Sequence, residues 1–466
     1  MASLPSTSAM TSSRISDHLD RLPIGRVHWK VVVAVGLGLF FDMYEVFLSG
    51  SMSVALGKDF RLSGVELKLL LASAFLGMFL GAAFLGRLAD RLGRRRAFLF
   101  NLVWYSVWSL IGAFSPNAVF LVFARFMAGI GVGAEYPVAD AYLSDVLPKD
   151  KRGRMATWAY TSSFVAVPVV GFLALWLNTA PLAGISGWRW LLGLGGIGAV
   201  VVLFLRRSLP ESPRWLNSVG RTQEAAQALE VFARGAGTSI SELEKAAPPQ
   251  AEAGSRRGTD QDERRSLTRL MKAPYRNRLT MLVIFHLFQT FGYYGFGTLA
   301  ALVLVASGHS VTSSLLFTAL SFLGYPIGSL ISTPLVAKFE RKYLLIASIL
   351  ALGVSGVGFA VSGNDVLIVA FGFLTTMISN VFSNVFHIYQ AEIFPTALRA
   401  TAVGWTYSLS RLSSGALPFV LLPVLDSFGA LAMFGVVAVA LLIIATAVAV
   451  FGPLTTRRSL AEINPV

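Results

Sequence analysis

Chemistry in this sequence concentrates on a few charged and polar residues set in long apolar runs. Asp42 and Glu45 are three residues apart among Leu, Phe, Met and Val, so on a helix they share one face. A carboxylate removed from water must be neutralised, paired or wetted, and that makes it a reversible proton carrier. Proton coupling through Asp42 is the preferred reading, with purely structural pairing as the alternative for both acids. Arg125 and Arg411 are cations inside apolar runs. The planar fork of Arg125 could bind a substrate carboxylate, or the residue could anchor its helix. Glu135, ten residues further on, falls on roughly the same face, where it could accept a proton, meet a polar substrate group or pair locally. Asp140 reads as structural.

The second half of the chain offers recognition groups more than titrating ones. His286 and Gln289 are one turn apart, and Gln289 could hydrogen-bond a substrate without changing charge. Arg411 lies in Tyr-Ser-Leu-Ser-Arg-Leu-Ser-Ser-Gly, whose small residues suit close helix packing, so binding and packing are both open for it. Tyr136, Tyr293, Asn380, Asn384 and Trp405 could wall a cavity, although each type also serves ordinary packing. His387 reads as a packing histidine. No nucleophile and base constellation, phosphate loop or metal cluster appears, so an enzyme is not expected and neither is a cofactor.

The elements that position these groups follow from composition. The chain has 466 residues, 55% hydrophobic and only 14% charged, with mean hydropathy +0.65 and no cysteine. That is too apolar for soluble domains and excludes a disulfide framework. A membrane span needs about 20 apolar residues, and twelve runs qualify: 30–52, 66–86, 97–115, 118–141, 155–177 and 188–206, then 279–304, 311–333, 344–361, 366–390, 400–422 and 427–451. The expected fold is therefore an all-α membrane protein with twelve transmembrane helices in two pseudo-symmetric six-helix bundles. The expected division is a disordered cytosolic tail over 1–27, a first bundle over 28–206, a cytosolic linker with short helices over 207–278, a second bundle over 279–452 and a cytosolic tail over 453–466.

Charge sets the orientation. With the N-terminus inside, 33 of the 39 Lys and Arg residues fall in inner segments, which predicts both termini in the cytosol of a multi-pass protein of the cytoplasmic (inner) membrane. The net charge of +14 thus reads as topology and not as nucleic-acid binding. The densest basic segment, Gly86 to Arg96, joins the second and third spans. In the linker, Ser212 followed by Pro213 reads as a helix N-cap and first turn, Ala225 to Phe232 as helical, Ala236 to Arg265 as flexible, and Arg265 to Arg278 as a basic amphipathic helix on the inner leaflet.

The halves repeat. Asp145, Pro148 and Arg152 have the spacing of Glu392, Pro395 and Arg399, 247 residues later. The same offset carries Arg94 onto Arg341 and Asp42 onto Gln289. A duplicated six-helix unit suits a transporter whose halves rock about a midplane site.

These motifs resemble the major facilitator superfamily over residues 28–452. Gly86 to Arg96 resembles its loop between helices 2 and 3, and Pro334 to Leu344 is the echo in the second half. Pro-Glu-Ser-Pro-Arg-Trp-Leu at 210–216 is similar to the sugar-porter and organic-ion branches. Arg125 to Pro137 and Ala391 to Arg399 are shared with those branches and with metabolite:proton symporters. Asp42-Met-Tyr-Glu45 resembles the Asp-Gly-Tyr-Asp motif of aromatic-acid:proton symporters, with Met for Gly and Glu for the second Asp.

The resemblance implies roles. Arg125 would face the helix 1 acid Asp42, and organic-ion transporters carry an arginine similar to Arg411. Asp145 with Arg94 and Arg152, and Glu392 with Arg341 and Arg399, would bridge the halves when the inner side closes, while Asp90 would face the start of helix 11. Val165 to Gly171 lacks the full antiporter signature, which favours symport. The expected function is proton-coupled symport of a small organic metabolite by a monomer in the lipid bilayer, with a nicotinate-like aromatic acid as first substrate. A sugar, an organic cation or a non-transporting receptor are the alternatives.

Overall fold

The computed structural model describes residues 12–85, 91–180, 182–245, 270–394, 396–456, 458 and 460–463. All its regular elements among these residues are helical. The first half contains α1 (Ser12–Arg21), α2 (Arg26–Asp59), α3 (Gly64–Phe84), α4 (Arg94–Ala113), α5 (Ala118–Val146), α6 (Arg152–Phe164), α7 (Ala166–Thr179) and α8 (Gly187–Arg207). Short helices α9 (Pro213–Ser218), α10 (Thr222–Gly235) and α11 (Ile240–Lys245) follow. The second half contains α12 (Tyr275–Ala306), α13 (Val311–Phe322), α14 (Gly324–Lys338), α15 (Arg341–Val361), α16 (Asp365–Glu392), α17 (Thr396–Phe451) and α18 (Leu460–Ile463).

Twelve spans emerge once three local breaks are read correctly. The fifth is α6 plus α7 and the eighth is α13 plus α14. Pro168 and Pro326 each lack the N–H that would reach back four residues, and the helices part at Val165 and Leu323. The long α17 holds the eleventh and twelfth spans and turns at Gly429, whose φ of 81° suits glycine. Ten segments meet length and hydropathy requirements for crossing a bilayer, the 402–451 segment being long enough for two. The remaining span is α4, made more polar by Arg94 to Arg96 and Asn101. Duplication shows in the backbone too: α3, α4 and α5 begin at 64, 94 and 118, and α13, α15 and α16 begin 247 residues later.

The halves meet through aromatic packing. Phe47 of α2 lies 5.2 Å from Tyr325 and 5.7 Å from Phe322, centroid to centroid, and Phe75 of α3 lies 5.0 Å from Tyr294. Thr161 and Ser329 hydrogen-bond across the same junction at 3.0 Å.

Three expectations outside the spans need correction. The N-terminal tail is helical from Ser12: Ile15 and Leu19 on α1, with Leu22 just beyond it, are buried in one cluster with Leu216, Leu229 and Phe232. Its Asp20 accepts from Arg214 at 2.8 Å and from the Lys149 backbone at 3.1 Å. The helix placed on the inner leaflet at 265–278 lies partly outside the described residues. Its end, from Tyr275, is instead the first turn of α12, where Arg278 is buried and donates to the carbonyls of Ile393 and Ile463. Arg206, counted among the cytosolic charges, is inside the first bundle with 1% of its surface exposed. The expected N-cap is present, with Ser212 Oγ accepting from Trp215 N at 3.0 Å.

Candidate functional site

Among the described residues, three acids and three arginines are at most 5% exposed within the spans, Asp42, Glu45 and Glu135, and Arg125, Arg206 and Arg411; Arg278, at 7%, is buried in the first turn of α12. Burying one such charge is costly unless it is paired, so their pairing determines what each can do.

Arg125 projects from α5 to α2. It pairs with the Glu45 carboxylate and also donates to the Glu45 carbonyl at 2.6 Å and to Ser49 Oγ at 3.1 Å. Ser109 of α4 donates to the other Glu45 oxygen at 2.5 Å. The helix 1 acid that meets Arg125 is therefore Glu45, not the expected Asp42. Asp42, three residues earlier and so about 60° round the helix, interacts instead with Tyr105 of α4, Glu135 of α5 and Arg206 of α8.

Arg206 makes the second pair. Its guanidinium binds Glu135, donates to the carbonyls of Ala34 at 3.0 Å and Val35 at 3.3 Å, and lies 4.4 Å over the Phe98 ring. Glycine at 38 makes room for it, because a Cβ there would stand 1.6 Å from Arg206 Nη2. Sequence reasoning missed this residue. It ends an apolar run beside Arg207 and so resembles an ordinary inner-face cation, although its position level with Glu135 on a neighbouring span was the available signal.

Two charges are left. Neither oxygen of Asp42 has a hydrogen-bond partner. The carboxyl is close enough to Glu135, Arg206, Glu45 and Arg411 to interact electrostatically with all four. Arg411 has no acidic partner among the described residues. Its Nη1 donates to Tyr294 at 2.8 Å, Nη2 to the Tyr407 hydroxyl, and Nε has no partner. Its carbon lies 5.0 Å from the Tyr407 ring centre and 5.7 Å from that of Tyr294. A guanidinium in a cage of two phenols, without a counter-ion, is suited to receive an anion.

A polar chain adjoins this cage. The His286 ring meets Tyr407 edge-on at 5.9 Å. Gln289 and Gln390 contact His286 at 3.1 and 3.2 Å, and Gln390 reaches His387 at 3.1 Å. Gln289 is thus beside the site and oriented through His286. Tyr293 is buried against Tyr294 and Tyr325, and Tyr136 stacks on Tyr160. Asn380 and Asn384 serve a different purpose from the one expected. Asn380 donates to the Tyr325 carbonyl at 2.5 Å and Asn384 to Ser332 at 2.9 Å, so both tie α16 to α14. Trp405 is 78% exposed on the α17 stripe that also carries Leu412 and Phe419, opposite Arg411, and does not wall the site.

At the inner ends Arg94 pairs with Asp145 at 3.3 Å and Arg341 with Glu392 at 3.4 Å. Each pair lies within one half, whereas a bridge between halves was expected. Arg152 pairs with Asp20 of α1 at 3.6 Å and not with Asp145. Gly93, at φ 98°, lets Glu211 approach so closely that a Cβ would be 2.4 Å from Oε2. Glu211 accepts from the Ser212 and Arg95 backbones at 2.9 and 3.1 Å, while burial holds its carboxyl above the usual range. Asp90 and the Arg399 side chain lie outside the described residues.

Comparison with known proteins agrees with this architecture. The niacin transporter NiaP of Acinetobacter baylyi is 28% identical over 96% of this chain and 98% of its own length. The inner membrane metabolite transport protein YdjE of Escherichia coli is 28% identical over 97% and 99% respectively. A partially occluded inward-open structure of the E. coli xylose transporter XylE superposes with a TM-score of 0.73 at 20% identity, covering 93% of this chain and 99% of that one. Residues 31–466 match the family model of sugar (and other) transporters. This chain belongs to that family, and is a multi-pass membrane transporter of the major facilitator superfamily.

Proposed function

We propose that this transporter is a proton-coupled symporter of a small aromatic or other organic carboxylate, with Asp42 carrying the proton and Arg411 binding the carboxylate. The observation that carries the reading is the pairing of buried charge: three acids and three arginines resolve into Glu45 with Arg125 and Glu135 with Arg206, leaving Asp42 and Arg411. With Asp42 ionised and Arg411 free, the buried set is neutral. With Asp42 protonated and a carboxylate on Arg411, it is neutral again. Either ligand alone leaves one uncompensated charge in a low-dielectric interior, which is disfavoured. Proton and carboxylate therefore enter together, one for one, and carry no net charge. The niacin transporter relative supports an aromatic acid as cargo.

In this reading the halves, 28–206 and 279–452, rock about the Phe47, Phe75 and Tyr294 junction in the cytoplasmic membrane, with both termini in the cytosol and the protein acting as a monomer. Pairs Arg94 with Asp145 and Arg341 with Glu392 hold the inner ends of each half together as a rigid body, with Asp90, Arg152 and Arg399 completing the inner gate. The test is uptake into proteoliposomes of a panel containing aromatic acids, their amides and pentoses, with and without an inward proton gradient. Gradient-driven accumulation of the acids alone is expected. Accumulation of a pentose or of the amide in their place would overturn the cargo assignment.

A further inference from the structure

The face of α4 turned into the first bundle carries a polar stripe that the pairing of charges leaves unexplained. Phe98, Asn101, Tyr105 and Ser109 follow one another at three- and four-residue steps and so line one face. Phe98 supports Arg206 and Ser109 supports Glu45. Between them, Asn101 is 1% exposed and Tyr105 is fully buried. Neither the Asn101 amide nor the Tyr105 hydroxyl has a hydrogen-bond partner, and the same holds for both Asp42 oxygens and for Glu135 Oε2.

These groups belong to one place. Asn101 interacts with the Glu135 carboxylate, and Tyr105 interacts electrostatically with Asp42 ahead of Glu135, Arg206 and Glu45. A Cβ added to Gly131 of α5 would touch the Asn101 carbonyl and Tyr105 Cβ, each at 3.0 Å, so α4 and α5 are in close contact here. These polar atoms are all shielded from solvent, with no well-formed hydrogen bond to any of them. Buried polar groups in native proteins are satisfied, by ordered water where not by each other.

We propose that Asn101 and Tyr105, with Glu135 Oε2, enclose the Asp42 carboxyl in a water-bridged cage that fixes the affinity of this site for its proton. The inference rests on Asp42 being the coupling acid. Facing Asp42 are Glu45 on its own helix, Tyr105 on α4, Glu135 and Tyr136 on α5, Arg206 on α8 and Arg411 on α17. Arg206 and Arg411 bring positive charge to its surroundings and Glu45 and Glu135 negative charge, while Arg125 is committed to Glu45. Tyr105 and Asn101 are the neutral donors: through water they stabilise the ionised carboxylate. Removing either donor favours the protonated form, so the proton is held to higher pH. Both are positioning residues, since neither touches the cargo.

The experiment is the pH dependence of benzoate- or nicotinate-driven counterflow in proteoliposomes for wild type, Tyr105→Phe and Asn101→Leu, with monodisperse elution as the check on folding. The midpoint should rise by about one pH unit in each variant, and the double variant should shift further. A midpoint within about 0.2 unit of wild type in both single variants, or a shift to lower pH, overturns the cage. Asp42→Asn measured alongside separates the two claims. If it retains gradient-driven accumulation, the coupling assignment itself fails. If it loses accumulation while Tyr105→Phe and Asn101→Leu leave the midpoint in place, only the cage fails.

Discussion

Arg411 offers the sharpest single perturbation. Replacing it by Gln leaves Tyr294 and Tyr407 in place but removes a buried cation that has no acidic partner among the described residues. A carboxylate about 4 Å from the guanidinium gains about 4 kcal/mol at the effective dielectric of partly hydrated protein. At 1.4 kcal/mol per tenfold, that is roughly a 10³-fold loss of affinity. Arg411→Lys keeps the charge and loses the fork, which is worth about 1.5–3 kcal/mol for a charge-assisted hydrogen bond, so a loss of roughly 10- to 100-fold is expected. The assay is equilibrium binding of nicotinate and nicotinamide to purified wild type and both variants. The acid should weaken in the order Gln over Lys, and the weak binding of the neutral amide should change little. Equal losses for acid and amide would mean that Arg411 is a packing residue, and unchanged acid binding would refute the carboxylate clamp.

Other substitutions test the frame around the site. Arg206→Leu leaves Glu135 buried without its partner and should destabilise the protein by about 3–5 kcal/mol, while Arg206→Leu with Glu135→Leu should recover most of the loss; denaturation in detergent is the measurement, and no recovery would refute the pairing. Gly93→Ala meets both an unfavourable φ and the Glu211 carboxylate, so a loss of at least about 1–2 kcal/mol is expected in the same assay. Trp405→Ala should leave nicotinate affinity within about twofold, because an exposed side chain distant from the site contributes little; a loss above tenfold would place it in the site after all.

Much of this architecture is legible in the sequence because the bilayer imposes a simple code. Span length, the skew of Lys and Arg, and the 247-residue repeat each depend on physics acting along the chain, and they lead to twelve helices. Partners across helices are less legible. Asp42 and Glu45 share a helix face in outline, yet a rotation of under one turn gives Arg125 to Glu45 and leaves Asp42 alone. Arg206 looks like a surface cation because its neighbour Arg207 is one. The Asn101, Tyr105 and Ser109 stripe is visible at steps of four once an inward face is known, but composition alone does not give the face. The α1 helix could have been found: Ile15, Leu19 and Leu22 recur at helical spacing within a polar tail. Asn380, Asn384 and Trp405 show the limit of residue type as evidence, since two tie helices together and the third faces outward.

The most direct test of the account is simultaneous measurement of proton and nicotinate entry into proteoliposomes held at different membrane potentials with valinomycin and potassium. The account predicts one proton per nicotinate, a rate insensitive to potential, and loss of coupled accumulation in Asp42→Asn. Current flowing with the cargo, or nicotinate accumulation without proton entry, would contradict it.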